Sequence, residues 1–219
     1  MDPQQPSLPV RAAPDRARAL DQYRRAAPRY DRHMWFARGT HREAVRRLEL
    51  RPGQVVLDVA CGTGLNFEAI EEAIGSGGRL IGLDLSPEML ALARKRVDAA
   101  GWQNVTLVEA PAEEAEIPAE PDALLFSFAH DVLRSPAALN RLLSLARPGA
   151  RVVAAGGKWP RRWLVPVHAY VSVQAPRFVT TMEGFDRPWT LLAERVGELE
   201  VKQRSLGAAY VACGHAAAR

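Results

Sequence analysis

The sequence has little of what disulfide-bonded, zinc-binding or membrane-spanning proteins require. Its two cysteines, Cys61 and Cys213, lie far apart and outside any CxxC or Cys/His spacing, so neither a disulfide framework nor a zinc site is indicated. The longest strongly apolar runs are about ten residues, shorter than a membrane-spanning helix needs. Residues 1–25 lack the apolar core of a signal peptide. We therefore expect a soluble, cytoplasmic protein with reduced thiols and no metal.

The length and composition are those of an ordinary globular protein. Hydrophobic residues make up 47% of the chain and charged residues 25%, which is enough to bury a core and excludes global disorder. A chain of 219 residues accommodates one large domain, or one domain with an appended segment. Two full catalytic domains would not fit.

The net charge of +4 conceals an uneven distribution along the chain. The charge balance is +6 over residues 1–51, −8 over residues 66–122 and +6 over residues 141–187. Two interpretations are open: the basic flanks meet a negative surface, or arginine coats exposed helices that have no charged partner.

Short apolar runs alternate with amphipathic segments from residue 55 onward. This alternation is typical of βαβ units with right-handed crossovers that close into one parallel sheet. Ser86 and Pro87 are a typical cap and first residue of a helix. A tight turn near residue 206 predicts an antiparallel hairpin at the sheet edge. The predicted strands are 55–60, 79–83, 105–108, 123–126, 151–155, 200–205 and 208–213, and the predicted helices are 65–74, 88–100 and 136–146.

The segments before the first strand have a different character. Residues 1–14 contain four prolines and predict a flexible leader. Residues 15–50 contain two short amphipathic stretches, separated by a break at 28–31, and we expect them to form an N-terminal helical lid. The main domain is expected to occupy residues 51–219.

The segment 158–190 is the most individual part of the chain. Arginine, lysine and tryptophan alternate there with aliphatic residues, and Pro160 and Pro166 are expected to interrupt any long helix. We expect a substrate cap packed on the domain. The alternative is that its first part, residues 158–171, rests at a bilayer surface with its aromatic side chains at headgroup depth.

Glycines and carboxylates mark a ligand site where the first two strands end. The segment 58–64 reads DVACGTG and passes from a buried strand into a helix, where open α/β sheets bind ligands. Gly62 and Gly64 let the backbone approach a ligand closely. The second strand ends at Asp84, whose carboxylate can accept hydrogen bonds from both hydroxyls of a ribose. Together these features indicate an adenosine-containing cofactor.

The same residues also have simpler interpretations. Asp84 can cap the helix that follows it, and Asp58 can be a structural acid at the end of a strand. Cys61 is expected to be a small packing residue and not a nucleophile.

The rest of the loop discriminates between cofactors. A dinucleotide fingerprint needs a third glycine at the position that Phe67 occupies. Asp58, inside the strand, would repel phosphates but suits the positively charged end of an amino-acid-bearing cofactor. The segment 58–64 therefore resembles the D/E-x-G/A-x-G-x-G motif of class I S-adenosylmethionine (SAM) dependent methyltransferases. The resemblance extends in order over residues 55–155.

This resemblance implies a fold and a cofactor site. The fold is α/β and Rossmann-like, with a mostly parallel seven-stranded sheet, an antiparallel C-terminal hairpin strand and an N-terminal helical lid. Pro111 replaces the acid that usually contacts the adenine amine, which leaves the backbone near Ala112, or Glu113, for that contact. The implied cofactor-binding residues are Asp58, Ala60, Gly62 and Gly64 around the methionine part, Asp84 at the ribose, Leu85, Met89, Ala112 and Glu113 at the adenine, and Ser127 at the reaction mouth.

The acceptor side is less defined by motif. The candidate catalytic residues are His130 and Asp131, which follow the fourth strand, where many small-molecule methyltransferases place substrate-facing groups. A neutral histidine there can remove a proton from a hydroxyl or carbon acid; alternatively, His130 is a structural residue with satisfied hydrogen bonds. The candidate substrate-binding residues are Tyr23, Tyr30, His33, Phe128, Trp159 and Phe185.

The sequence is similar to the small-molecule branch of this family, which acts on quinones and natural products. Transfer then needs only in-line positioning of the acceptor, with His130 as a candidate base. The alternatives are a phospholipid N-methyltransferase at the membrane surface and a regulatory protein that binds SAM without turnover. A nicotinamide dehydrogenase is disfavoured by Phe67 and by a missing Tyr-x-x-x-Lys pair. Nucleic acid is not expected as a partner, and the protein is expected to be a monomer or homodimer.

Overall fold

A seven-stranded sheet runs through the centre of the molecule, in a computed structural model that describes residues 14–161 and 163–217. The predicted leader therefore lies, apart from Pro14, outside the described residues. The spatial order is β3-β2-β1-β4-β5-β7-β6. The strands are β1 (Val55–Val59), β2 (Arg79–Asp84), β3 (Val105–Glu109), β4 (Ala123–Ser127), β5 (Arg151–Gly157), β6 (Glu200–Arg204) and β7 (Ala209–His215).

Neighbouring strands β1 to β5 pair in parallel, and β7 is antiparallel to both β5 and β6. The chain moves outward from β1 through β2 to β3 and then returns to the other side of β1 with β4. The strand order thus reverses between β1 and β4, which is where open α/β sheets form a crevice for ligands. Sheet order, strand directions and the C-terminal hairpin confirm the predicted fold.

Helices cover both faces of the sheet. Side chains alternate along β1, so that Leu57 and Val59 enter one apolar core and Val56 enters the other, against Phe67 and Ile70. The helices are α1 (Arg16–Ala26), α2 (Tyr30–His33), α3 (Arg38–Arg47), α4 (Phe67–Ile74), α5 (Pro87–Ala100), α6 (His130–Leu133), α7 (Pro136–Leu145), α8 (Val165–Gln174) and α9 (Thr190–Ala193).

Helix α5 begins as the sequence predicts. The Ser86 hydroxyl accepts a hydrogen bond from the backbone N–H of Met89, and Pro87 occupies the first turn. The helix ends at Gly101, whose φ of 71° is left-handed. Asp84 precedes this cap and is thereby held in place at the carboxyl end of β2.

One expectation about prolines was confirmed and one was wrong. The predicted break near residues 28–31 is present, because α1 ends at Ala26 and a short 3₁₀ turn, Ala27–Arg29, separates it from α2. Pro166 does not interrupt a helix, because it lies in the first turn of α8, where the missing N–H has no intrahelical partner to lose. In the part of the chain that the structure describes, no helix is long and apolar enough to cross a membrane.

Candidate active site

A cavity of about 270 Å³ lies at the carboxyl ends of β1, β2 and β4, and we call it the first cavity. Helix α1 covers it from above, and the loop 110–113 closes one side. Many of the residues singled out in the sequence line it: Ala60, Gly62, Asp84, Leu85, Met89, Ala112 and Glu113, together with Tyr23, Tyr30, Phe128, His130 and Asp131.

Asp84 connects the first two strand ends. Its Oδ2 accepts a hydrogen bond from the backbone N–H of Gly62 at 2.8 Å, and its Oδ1 accepts one from the N–H of Ser86 at 2.8 Å. Burial raises the pKa of this carboxyl, and its backbone donors, which include the N–H of Leu85, oppose that rise. Asp84 therefore lines the cavity as a hydrogen-bond acceptor.

The glycines of the loop 60–64 serve different purposes. Gly62 has a φ of 55°, and a Cβ there would meet only the Tyr30 ring at 4.0 Å, so the backbone is open towards the cavity. Ala60 also has a positive φ, 53°, an uncommon conformation for a residue with a side chain. Gly64 does not line the cavity; a Cβ there would lie 2.7 Å from the ring of Phe67.

Asp58 lies under the loop and not at its surface. It is fully buried, and the side-chain amide of Asn66 donates to its Oδ2 at 3.1 Å. The Asn66 oxygen lies 2.9 Å from Nδ1 of His41, and Oγ of Ser127 lies 3.0 Å from the same nitrogen. Burial raises the pKa of Asp58 to about 7. Asp58 and Ser127 thus support the site from behind, and neither lines a cavity.

His41 is a central residue that the sequence analysis missed. It links the β1 loop to the end of β4, and its ring stacks on Phe128 with centroids 4.8 Å apart. Burial lowers its pKa. Its partners Asn66 and Ser127 are 25 and 86 residues away in the chain, so no local pattern marks it.

A second cavity, of about 320 Å³, opens beside the first. None of its lining residues is Asp, Glu, Lys or Arg, and most are aliphatic or aromatic. The two cavities share four lining residues, Tyr30, Phe128, Ala129 and His130. Phe185, from the segment 158–190, also lines the second cavity and contacts His130. Ligands in the two cavities would therefore both touch these four shared residues.

His130 stands where the cavities meet. Its ring is buried and packs edge-on to Phe185 at 5.1 Å, and neither nitrogen has a hydrogen-bond partner of normal geometry among the described residues. Burial first, and then the charge of Arg134, lower its pKa to about 4; backbone groups of Glu183 and Thr181 weakly oppose this. The imidazole is therefore neutral at physiological pH.

Asp131 joins the site to the segment 158–190. Its two oxygens accept from the backbone N–H of Thr180 at 3.2 and 3.0 Å. Helix α1 reaches the same segment: the Tyr23 hydroxyl donates to the carbonyl of Phe178 at 2.9 Å, and the Gln22 amide donates to that of Pro176 at 3.0 Å. The two segments that flank the cavities thus hold each other.

Two predicted substrate residues lie outside both cavities. His33 is exposed and lines neither one. Trp159 stacks on His168 with centroids 4.7 Å apart and packs edge-on behind Phe185 at 5.5 Å, so it supports the wall of the second cavity. Among the described residues, no cluster of three or more His, Cys, Asp or Glu side chains forms a metal site.

Comparison with known proteins shows what the chain is similar to. Residues 56–149 match the family model of a methyltransferase domain. Demethylmenaquinone methyltransferases of Anoxybacillus flavithermus and Shouchella clausii are each 32% identical to this chain, over 126 and 116 residues. These matches cover 57% and 51% of this chain and 52% and 48% of the relatives, so the chain spans about half their length.

Solved structures agree with the methyltransferase fold. An O-methyltransferase family protein from Burkholderia thailandensis superposes with a TM-score of 0.68 at 17% identity, covering 94% of this chain and 64% of that one. The N-methyltransferase NodS from Bradyrhizobium japonicum, in complex with S-adenosyl-L-homocysteine, gives 0.67 at 14% identity over 90% and 98% of the two chains. At such identities the likeness establishes the fold alone.

The lining of the first cavity fits SAM. The backbone is open at Gly62, where a ligand can lie against the main chain, and the Asp84 carboxylate is a hydrogen-bond acceptor in the cavity wall. Leu85 and Met89 supply apolar walls suited to an adenine ring. Phe67 fills the place of a third glycine, which removes the phosphate-binding turn of a dinucleotide site.

Proposed function

We propose that this protein is a SAM-dependent methyltransferase whose acceptor is a small apolar or aromatic molecule. The observation that carries the proposal is the junction of the two cavities at Tyr30, Phe128, Ala129 and His130. A cofactor in the first cavity and an acceptor in the second would meet there. Such an arrangement places two reactants in contact while the surrounding side chains exclude water.

The first cavity is assigned to the cofactor. Asp84 holds the ribose, Leu85 and Met89 pack on the adenine, and the backbone around Ala60 and Gly62 surrounds the methionine part. Bound SAM supplies a methyl group already activated by its sulfonium centre. The protein's task is therefore to bind, to orient and to keep the site dry.

The second cavity is assigned to the acceptor. Its lining carries no ionised side chain, so it favours a ligand that is itself uncharged and apolar. The relatives are named for demethylmenaquinone, which supports a quinone-type aromatic acceptor. We assign the segment 158–190 as the cover of this cavity and α1 as the cover of the first, and the two covers are hydrogen-bonded to each other.

His130 is the proposed base. It is neutral at physiological pH and lies at the junction, and the unprotonated nitrogen of its ring can accept a proton. A pKa of about 4 makes it a weak base, so its role suits an acceptor with an acidic hydroxyl or an activated ring carbon. Asp131 is bound to Thr180 and acts as a positioning residue.

The test is methyl transfer from radiolabelled SAM by the purified protein to a panel of acceptors. The panel contains a hydroquinone, a simple phenol, a primary amine and phosphatidylethanolamine vesicles. Label in the hydroquinone or phenol supports the proposal. Label in the lipid amine alone replaces it with the phospholipid reaction, and SAM binding without any label indicates a regulatory protein.

A further inference from the structure

One face of the molecule is unusually apolar for a surface in contact with water. The large apolar side chains that are strongly exposed in the described residues all lie on three segments, 35–36, 163–173 and 206. Most proteins scatter such residues singly, and a contiguous patch marks an interaction surface. The exposed fractions are Trp35 67%, Phe36 47%, Trp163 70%, Val165 67%, Tyr170 51%, Val173 60% and Leu206 69%.

Helix α8 is the centre of this face. Its sequence, VPVHAYVSVQ, contains no Asp, Glu, Lys or Arg. At 100° per residue, Val165, Tyr170 and Val173 fall on one side, which is exposed, while Val167 and Val171 fall on the other and line the second cavity. A helix at a water interface normally carries a polar outer face. Here both sides are apolar, so the outer side is suited to a second apolar environment.

The three segments are continuous in space. Phe36 packs edge-on against Tyr170 with centroids 6.3 Å apart, and Trp35 packs on Phe36 at 6.5 Å. At the other end of α8, Trp163 and Leu206 line one shallow surface groove. The aromatic face, defined as residues 35–36, 163–173 and 206, is therefore one surface and not three separate exposures.

Two of the three segments of the aromatic face lie in stretches of the chain without acidic residues. The segments 32–42 and 158–182 contain no Asp or Glu. Arg38 and Arg177 are exposed next to the aromatic face, and Arg161 lines the groove with Trp163 and Leu206. Apolar side chains with exposed tryptophans and an arginine rim complement a bilayer that carries negative headgroups.

We propose that the aromatic face docks on an anionic lipid bilayer. Tryptophan and tyrosine settle at the level of the headgroups, where one end of the ring is apolar and the other wet. Arginine beside them pairs with lipid phosphate. A second copy of the chain would bring two arginine rims together, which disfavours self-association through this face.

Docking in this orientation places the bilayer next to the second cavity, the proposed acceptor site. Phe36 and Tyr170 belong to the aromatic face and also line the second cavity. An apolar acceptor dissolved in the membrane then enters the second cavity beside this pair of rings without crossing water. This entry route rests on the proposed function, whereas the docking itself does not.

The test is flotation of the full chain with vesicles of phosphatidylcholine alone or with 30% phosphatidylglycerol, at about 0.1 M salt. The double variant Trp35→Ser/Trp163→Ser is compared with the double variant Trp35→Phe/Trp163→Phe. Neither tryptophan lines the first or the second cavity. The double variant Arg161→Gln/Arg177→Gln is compared with the control Arg94→Gln/Lys95→Gln, whose two residues are exposed on α5. SAM binding in solution is measured for every protein.

We expect wild type to bind the anionic vesicles, the serine variant to bind at least about tenfold more weakly, and the phenylalanine variant to retain most binding. The Arg161 and Arg177 changes should weaken binding to anionic vesicles alone, and the α5 control should have no effect. Equal binding by wild type and the serine variant, no binding by wild type, or a dimer that the serine variant abolishes overturns the proposal. Vesicle binding without turnover would instead refute only the proposed function.

Discussion

The ring of Phe67 lies directly on Gly64, so close that a Cβ at that glycine would be 2.7 Å from two ring carbons. The far end of the same ring reaches Gly82 in β2, where a Cβ would be 2.8 Å from Cζ. Phe67 is fully buried. The aromatic side chain that replaces a third glycine thus fixes the loop to the sheet from below, and Gly64 is required for packing.

The first prediction concerns this pair. Gly64→Ala should destabilise the protein by about 2–4 kcal/mol, because it combines a positive φ with overpacking against the ring. Phe67→Leu removes part of the crowding, so the double variant should lose less than the sum of the two single changes. Urea unfolding of the four proteins gives the coupling free energy, and additive losses would contradict the contact.

A second prediction tests the cofactor assignment. Asp84→Ala should weaken SAM binding by about 1–3 kcal/mol, because the ribose loses hydrogen bonds to a carboxylate. Titration calorimetry measures the affinity. Asp98→Ala, an exposed carboxylate on α5, serves as the control and should bind as wild type does. Unchanged affinity in a folded Asp84→Ala protein would place the cofactor elsewhere.

A third prediction separates chemistry from binding at His130. His130→Ala should lower turnover by about 10²- to 10⁴-fold and leave SAM affinity unchanged. The comparison is Trp159→Phe, which alters the packing behind Phe185 without reaching the junction and should keep most turnover. If His130→Ala turns over at a near-normal rate, positioning alone accounts for the transfer.

The low pKa of His130 predicts how stability depends on pH. Its folded pKa of about 4 lies below the usual 6.5, so between these values the unfolded chain binds more protons. Stability should therefore rise with pH through this window, and His130 contributes about 2 kcal/mol of the rise from pH 4.5 to 7. His130→Gln removes that part. Denaturant unfolding at pH 4.5 and 7 gives the free energy of unfolding of both proteins. The same change with pH in wild type and variant would be inconsistent with a buried neutral ring.

The central sheet was predictable because its signals are local. Buried strands such as β1 are continuous apolar runs, and Asp84 and Ser86 announce the strand end and the helix cap within a few residues of each other. The cavity that they form follows from the topology, since parallel strands end at one edge. The motif located both loop glycines and assigned both to the cofactor, but it could not separate Gly62, which lines the cavity, from Gly64, whose contact with Phe67 depends on side-chain packing.

The acceptor side was predictable only in outline. Phe185 could be proposed as an apolar wall, yet the chain of contacts from Asp58 to His41 joins residues far apart in sequence. His33 is of a residue type that is common in active sites, but it is exposed on α2. The position of such residues is decided by how α1 and the segment 158–190 pack, which no local periodicity encodes.

The uneven charge distribution along the chain results in ion pairs at α1. Arg16 pairs with Glu113 and Glu114, and Arg24 pairs with Glu88. These ion pairs connect the basic N-terminal part to the acidic middle of the chain across the first cavity. These contacts are exposed and are weakened by dissolved ions. Under the proposed function we expect these ion pairs to open when the spent cofactor leaves, so that its release rate increases with ionic strength in a stopped-flow displacement experiment.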